Sequence, residues 1–285
     1  MEITFLKTGS NQIYIVIGSN GLIGSSLVNS FKKRFSFNKN NFFVKKKLNH
    51  KNLSYFLSNS LTIFDKDCSQ KYSFIYCAGK GGFSLDISSC IEQQEAFNYL
   101  LNTLVTNYSD RMNFYLISSL GCHYSQIDTP YKKMVLANEK LILENENMFI
   151  FRLPSIWGFK KNPLRPSGLI GKLLVSAKDF KEATIYGELN TLRNYLSASQ
   201  IAESIFKAIF SETSGKIYNF YGEFNYTINE IILLIKKLTK KRIYYKLVDE
   251  NPVHKESFKS VPTSGKNIIV LECLSEKIIK EWRNL

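Results

Sequence analysis

Residues 12–24 read QIYIVIGSNGLIG. The first six are almost all apolar and rich in β-branched and aromatic side chains, which predicts a strand covered on both faces, as in a parallel sheet. Glycines follow at Gly18, Gly21 and Gly24. Beyond them, apolar residues repeat at helical spacing: Leu22, Ile23, Leu27, Val28 and Phe31. The stretch therefore predicts a strand, a tight turn and a helix.

The spacing of the three glycines predicts a dinucleotide site. A glycine directly after a strand can take backbone angles closed to other residues, and a glycine at a helix start lets a pyrophosphate approach the free amides there. The residues expected to contact the cofactor in this turn are Gly18, Asn20, Gly21, Leu22, Ile23 and Gly24. The alternative is a turn with a purely structural purpose.

Strand-like and helix-like segments alternate beyond the turn. Strands are expected near 41–45, 61–64, 72–78, 113–118 and 148–153, with helices near 92–107 and 131–145. This alternation predicts an α/β fold of Rossmann type, a doubly wound parallel sheet. After Pro154, prolines and glycines interrupt this alternation of strands and helices. We therefore expect a dinucleotide-binding domain over 1–160 and a smaller C-terminal substrate-binding portion over 161–285, packed against the first, with the chain crossing back.

Composition and charge bear on which ligands and partners the protein can bind. The 285 residues carry a formal net charge of +14, but the cations are spread along the chain without a nucleic-acid motif, so we expect no nucleic-acid partner. The positive field suits an anionic small ligand. No long apolar run and no signal peptide are recognisable, which predicts a cytoplasmic protein without a membrane partner. Cysteines and histidines lack metal-ligand spacing, so no metal site is expected.

A run of three lysines bears on the choice between NADP and NAD. The usual fingerprint places an acidic residue at the end of the second strand, where it holds the adenine ribose. The chain has Lys45, Lys46 and Lys47 there instead. Cations can pair with a 2′-phosphate, which favours NADP, with NAD still open. An exposed lysine run at a strand end is the alternative.

Several segments together resemble the extended short-chain dehydrogenase/reductase family, the nucleotide-sugar epimerases, dehydratases and ketoreductases. They follow the family's order and cover nearly the whole chain: the glycine turn, Tyr76–Gly79, Ile117–Ser119 with Tyr124, Tyr131 with Leu136, Ala137 and Glu139, Arg152–Gly158, and Arg193–Leu196. The resemblance implies enzymes of carbohydrate biosynthesis, such as that of surface polysaccharides, and homodimers are common among them.

The resemblance also assigns site residues. It implies that Tyr131, with Ser118 or Ser119, is catalytic. Further cofactor contacts would come from Ala78, Gly79, Leu153 and Tyr131, whereas Lys80 could face either the cofactor or the solvent. Lys45 and Lys46 of the lysine run are the candidate contacts for a 2′-phosphate. Ser155 and Arg193 would contact the substrate, with Arg193 reaching the diphosphate of a nucleotide sugar.

Two catalytic positions depart from the family pattern. The family's lysine, four residues after the tyrosine, is Val135 here, and its serine, four residues before Tyr124, is Leu120. Without a neighbouring ammonium, Tyr131 should remain a phenol at neutral pH, able to donate a proton but poor at removing one. This favours an NADP-dependent reductase of a keto group on a nucleotide-activated deoxysugar. A catalytically silent dinucleotide-binding relative, or an epimerase or dehydratase with a rearranged site, is the alternative. His123 could serve as a proton donor or be structural.

Overall fold

The computed structural model describes residues 2–8, 12–35, 43–47, 70–79, 81–161, 164–211, 215–248, 255–258, 260–271 and 273–285. Its strands are β1 (Glu2–Thr8), β2 (Gln12–Ile17), β3 (Phe43–Lys47), β4 (Lys71–Tyr76), β5 (Met112–Ser119), β6 (Met148–Leu153), β7 (Ser155–Lys161), β8 (Leu164–Ser167), β9 (Ala183–Tyr186), β10 (Leu192–Ser197), β11 (Ile217–Gly222), β12 (Asn225–Thr227), β13 (Tyr245–Val248) and β14 (Lys266–Val270). Its helices are α1 (Leu22–Arg34), α2 (Ile87–Tyr108), α3 (Gly121–Tyr124), α4 (Pro130–Leu143), α5 (Gly168–Asp179), α6 (Ala198–Phe210), α7 (Ile228–Thr239) and α8 (Leu274–Arg283). The predicted strand at 61–64 lies outside the described residues.

The large sheet is mainly parallel. Its strand order is β14-β11-β6-β5-β4-β2-β1-β3, and the pairings from β14 through β2 are all parallel. The α/β class with a parallel sheet is thereby confirmed. The carboxyl ends of β2, β4, β5 and β6 meet along one edge, which is where open α/β sheets bind ligands.

The first strand is a departure from the predicted order. β1 pairs antiparallel with β2 on one side and with β3 on the other, so it separates the strand before the glycine turn from the strand that carries the lysine run. The sequence pattern predicted the sheet from Gln12 onwards, without this strand. Side chains on both faces of β1 are buried from Glu2 to Leu6, so it belongs to the body of the sheet.

Helices cover both faces of the large sheet. On one face α1 and α6 pack through Leu27, Phe31, Ile201 and Ile205 against β2, β4, β5 and β6. On the other face α2 packs through Phe97 and Leu104, and α4 through Ile142. This two-sided cover explains why β2 and β4 are apolar almost without alternation.

A smaller core lies to one side of the large sheet. Helices α5, α7 and α8 pack around the fully buried Trp157 and Ile185, beside the sheets β12-β10-β7-β8 and β13-β9. The chain returns from this portion to supply β11 and β14 of the large sheet. The domain boundary at residue 160 stays a prediction.

Two negative observations hold for the described part of the chain. None of its helices combines the length and apolarity needed to cross a bilayer. Among these same residues, no three histidine, cysteine or acidic side chains converge in a way that could hold a metal ion.

Candidate active site

The glycine turn closes tightly around Gly18. Its φ of +86° lies in the region that favours glycine, and its carbonyl accepts a hydrogen bond from the amide of Gly21 at 2.9 Å. A Cβ at Gly24 would lie 2.3 Å from the same carbonyl oxygen. Helix α1 starts after Gly21 without a side-chain cap. The turn and the uncapped helix start fit a dinucleotide pyrophosphate, because the first amides of a helix favour an anion.

We expect Gly24→Ala to weaken dinucleotide binding more than about tenfold, a loss of at least 1.4 kcal/mol. The added methyl meets backbone, so the turn must open and its amides must move. Fluorescence titration with NADH and NADPH measures this. Gly215→Ala is the control: its backbone is strained at φ +129°, but a Cβ there meets nothing within 4 Å. A dissociation constant raised equally by both variants would contradict the argument.

A cavity of about 500 Å³ opens where the strands of the large sheet end. The predicted site residues that line it are Ile23, Ala78, Gly79, Ser118, Ser119, Tyr131, Leu153, Ser155 and Arg193. Asn20 lines a separate groove beside α1. Lys80 lies outside the described residues. Cofactor-side and substrate-side predictions thus converge on one cavity.

Tyr131 enters this cavity from the first turn of α4. Its ring packs edge-on against Phe83, with 5.6 Å between the ring centroids. Burial raises the pKa of Tyr131 well above the ordinary tyrosine value, and the nearby Cys122 thiol adds to the rise. Hydrogen bonds from the Ser119 side chain and the Gly82 backbone offset it only in part. Tyr131 is therefore a phenol at neutral pH.

The two candidate serines point to different partners. The Ser118 hydroxyl donates to Glu139 at 2.5 Å, whereas the Ser119 side chain acts on Tyr131, whose pKa it lowers. Neighbouring residues of a strand face opposite sides, so the two hydroxyls cannot share a role. Leu120, which aligns with the family's serine, is fully buried. Ser119 is thus the serine that can act with Tyr131.

A buried charge cluster stands behind this pair. Glu139 and Arg152 are 3% and 4% exposed, and Arg152 donates to both Glu139 carboxylate oxygens, the shortest contact being 2.7 Å. His123 contacts the same carboxylate at 3.1 Å, and Arg152 also donates to Ser264 at 3.0 Å. Burial by itself would raise the pKa of Glu139, but its bonds to His123, Arg152 and Ser118 lower it. His123 thus contacts a buried ion pair.

The lysine of the family pattern has no substitute on α4. Val135 lines the cavity in its place and is buried. Lys132 turns elsewhere: its ammonium donates to the Ser125 carbonyl at 2.9 Å and contacts Asp128 at 3.2 Å. Among the described residues, no cation therefore lowers the pKa of Tyr131.

Asn138 is a cavity residue that the sequence analysis did not identify. It follows Tyr131 by seven residues, two helical turns, and lines the same cavity. It is 9% exposed, and within the described structure its side-chain oxygen has no hydrogen-bond partner. The 3.6-residue period from Tyr131 through Val135 was the signal that could have found it. A buried acceptor facing a cavity suits a ligand hydroxyl.

The substrate end of the cavity is built by β7 and β10. Arg193 and Tyr195 of β10 line it together with Ser155 and with Tyr124 of α3. Burial raises the pKa of Tyr195, and the Arg193 guanidinium offsets part of the rise. The Tyr195 hydroxyl is buried without a partner in the part of the chain that is described. This end therefore offers a cation and a hydroxyl to a polar ligand, as a diphosphate would require.

The lysine run lies farther from the glycine turn than the sequence implied. Lys45 and Lys46 are in β3, whose side chains are not described, and β3 is two strands away from β2 because β1 intervenes. Strands are about 4.8 Å apart, so the run is about 10 Å from β2 across the sheet. Glu2, which was not predicted from the sequence, places a carboxylate at the turn, where it accepts a hydrogen bond from the Ser19 hydroxyl.

Comparisons with known proteins support the fold. No protein-family model matches the chain, and no curated protein matches it. Among solved structures, it is similar to UDP-glucose 4-epimerase of Thermotoga maritima in complex with UDP-glucose (TM-score 0.72, 14% identity, covering 96% of this chain and 98% of that one). It is also similar to dTDP-glucose 4,6-dehydratase of Bacillus anthracis in complex with NAD (0.69, 15%, 96% and 91%). A third is a GDP-6-OMe-4-keto-L-xylo-heptose reductase of C. jejuni (0.68, 13%, 98% and 99%). The resemblance drawn from the sequence is thereby confirmed at the level of the fold.

Proposed function

We propose that this protein is an NAD(P)-dependent oxidoreductase that reduces a keto group on a nucleotide-activated sugar, such as a deoxysugar of surface-polysaccharide synthesis. The observation that carries the proposal is the Tyr131 phenol, paired with Ser119 in the cavity beside the glycine turn and lacking a described cation neighbour. The similar structures include an epimerase, a dehydratase and a ketosugar reductase, so the fold alone does not select among these reactions.

The residues present divide the work of binding. The amides at the start of α1 would hold the pyrophosphate of the dinucleotide, and Ala78, Gly79 and Leu153 line the cavity beyond them. Arg193 at the far end would hold the substrate diphosphate through paired hydrogen bonds. These contacts would place the sugar between Arg193 and Tyr131.

Tyr131 and Ser119 carry the proton chemistry. A reduced dinucleotide, when held by the glycine turn, would supply the hydride for the carbonyl carbon. Tyr131 donates its phenolic proton to the carbonyl oxygen as negative charge develops there, which yields the alcohol. Ser119, which lowers the pKa of Tyr131, would help to hold the Tyr131 oxygen in place.

The raised pKa of Tyr131 is what favours reduction. Reduction needs a proton donor, whereas epimerisation and dehydration through a 4-keto intermediate begin by oxidising an alcohol and need a base. A phenol beside an ammonium can become that base at neutral pH. Tyr131 has Val135 where the ammonium would stand, so its base form is scarce.

Fewer observations bear on the choice between NAD and NADP, on the oligomeric state and on the cellular location. The NADP prediction relied on a lysine run in the strand next to β2, and β1 occupies that position. NADP therefore stays a prediction from the sequence alone. A homodimer and a cytoplasmic location stay predictions as well.

Turnover with a panel of nucleotide 4-ketosugars, carrying UDP, dTDP or GDP, tests the proposal. We expect stoichiometric loss of NADH or NADPH absorbance with formation of the alcohol. Conversion of a nucleotide sugar without net cofactor loss would indicate an epimerase or dehydratase instead. Tight dinucleotide binding without turnover of any sugar would indicate the silent relative, which Val135 and Leu120 also fit.

The pH dependence of the two reaction directions should differ. Because the pKa of Tyr131 is raised above the ordinary value of about 10, the donor form persists and the reduction rate should not fall for lack of its proton below about pH 9. Oxidation of the product alcohol needs the phenolate and should rise roughly tenfold per pH unit over the same range. Single-turnover rates in both directions measure this. A fall in reduction centred between about pH 6 and 8 would contradict the assignment of Tyr131 as donor.

A further inference from the structure

A short segment of the chain, residues 255–258, contacts the loop between α3 and α4. The Glu256 carboxylate accepts a hydrogen bond from the Ser125 hydroxyl and another, at 2.6 Å, from the backbone amide of Gln126. Ser125 is buried, and its carbonyl accepts a hydrogen bond at 2.9 Å from the Lys132 ammonium. Lys132 lies in the first turn of α4, beside the proposed proton donor. Glu256 is thereby connected, through one loop, to the helix turn that carries this donor.

The same segment is hydrogen-bonded to β10 on its other side. The Ser257 hydroxyl accepts from the Leu192 amide at 3.0 Å, and the Phe258 amide donates to the Leu192 carbonyl at 2.7 Å. Leu192 is the first residue of β10, and the next residue is Arg193, which we expect to hold the substrate diphosphate. Consecutive residues of one segment thus join the strand of Arg193 to the loop that precedes Tyr131.

Tyr124 lies between the two ends of this connection. It lines the cavity together with Arg193, and the Phe258 ring packs edge-on against it, with 5.3 Å between the ring centroids. Burial raises the pKa of Tyr124, the Arg193 guanidinium lowers it, and the Glu256 carboxylate adds to the rise. Both charges therefore act on one phenol of the cavity wall, so the segment reaches the substrate end of the cavity itself.

We propose that Glu256 is a positioning residue that fixes the separation of Arg193 and Tyr131, and so determines where a nucleotide sugar bound by its diphosphate presents its keto group. The inference rests on the proposed function, in which the substrate extends from one of these residues to the other. A substrate held at one end reacts well only if its other end meets the proton donor. A misplacement of about 1 Å can lower the rate about 10²-fold.

Reduction of a nucleotide 4-ketosugar by the full chain tests the inference, with the UDP, dTDP or GDP compound that the wild type reduces fastest. Glu256→Ala removes both acceptor oxygens and should lower kcat/KM about tenfold or more, while the dissociation constants of NADH and NADPH change less than about twofold. Glu256→Gln retains an oxygen for the Gln126 amide and an N–H for the Ser125 hydroxyl, so it should recover most of the loss. Glu188→Ala is the matched control, because its carboxylate contacts Lys255 of the same segment at 3.3 Å from an exposed position.

A double variant tests whether the effect depends on Arg193. In the Arg193→Met background, Glu256→Ala should lower kcat/KM by less than about threefold, because the diphosphate is no longer held at that end. Independent effects that multiply would overturn the inference. Ser125→Ala removes the partner hydroxyl and should lower kcat/KM in the same direction by a smaller factor. It decides the question if Glu256→Ala fails to bind either dinucleotide.

The remaining outcomes separate the inference from the function on which it rests. If the wild type reduces no nucleotide ketosugar, the proposed function fails and this inference fails with it. If the wild type reduces one and Glu256→Ala keeps kcat/KM within about threefold, only the inference is overturned. A Glu256→Gln variant as impaired as Glu256→Ala would also overturn it, because charge rather than position would then account for the effect.

Discussion

Tyr131→Phe should lower the rate of ketosugar reduction by about 10²- to 10⁴-fold, the usual contribution of a positioned acid. The substitution removes the hydroxyl whose pKa the Ser119 side chain and the Gly82 backbone lower. It keeps the aromatic ring and its edge-on contact with Phe83. We therefore expect unchanged dinucleotide binding, measured by fluorescence titration, beside a kcat close to background.

A matched variant separates proton donation from general disturbance of the cavity. Tyr195→Phe deletes the same atom from another buried tyrosine that lines the same cavity and whose hydroxyl has no partner among the described residues. We expect it to raise KM for the sugar and to change kcat less than tenfold. If Tyr131→Phe retains full turnover, Tyr131 is not the donor. If both variants lose kcat equally, the cavity does not distinguish the two hydroxyls as argued.

Local sequence signals predicted the central fold well. Strand β2, the glycine turn and α1 follow from apolar runs and glycine placement that are each visible within about ten residues. The sequence did not predict which serine of β5 faces Tyr131 in the cavity. Ser118 and Ser119 were equal candidates because the strand register relative to α4 decides which hydroxyl faces Tyr131, and a shift of one residue exchanges them.

The position of β1 could not be read from local pattern. Residues 2–5 alternate between polar and apolar, a pattern that can mark a strand but does not say which strands it pairs with. Its place between β2 and β3 depends on pairing with a strand more than thirty residues away. The same pairing moved the lysine run outward and brought Glu2 to the turn. An error of one strand in the order thus removed the position from which the lysine run was expected to favour NADP.

Arg152→Met should lower the free energy of unfolding by about 3–5 kcal/mol, the cost of leaving one buried charge without its partner. Arg152 makes three hydrogen bonds to Glu139, and both residues are almost fully buried. Methionine fills most of the volume but supplies no charge. Urea denaturation measures the change. The contact with His123 at 3.1 Å remains, which favours the lower end of the range.

Arg34→Met is the matched control because it removes an arginine–glutamate contact of similar length. Arg34 lies 3.0 Å from Glu203, but their side chains are 49% and 37% exposed. Exposed pairs contribute about 0–1 kcal/mol, so this variant should be nearly neutral. Equal losses from the two variants would show that burial does not determine how much the Glu139–Arg152 ion pair contributes to the free energy of unfolding. The double variant Glu139→Gln with Arg152→Met should recover part of the loss, since no buried charge then stands alone.

The free energy of unfolding of the Arg152→Met variant should also depend on pH differently from that of the wild type. The folded pKa of Glu139 is lowered, so in the wild type its contribution is present above the unfolded value of about 4.3 and is lost as pH falls through the folded one. Without Arg152, burial should raise that pKa, and protonation should then relieve the unpaired charge. The stability difference between wild type and variant should therefore shrink on acidification below about pH 5. A difference that stays constant with pH would show that lost packing, rather than charge, accounts for the destabilisation.

Because Glu139 also accepts a hydrogen bond from Ser118, the residue before Ser119, the same variant should shift Ser119 relative to Tyr131 and lower kcat.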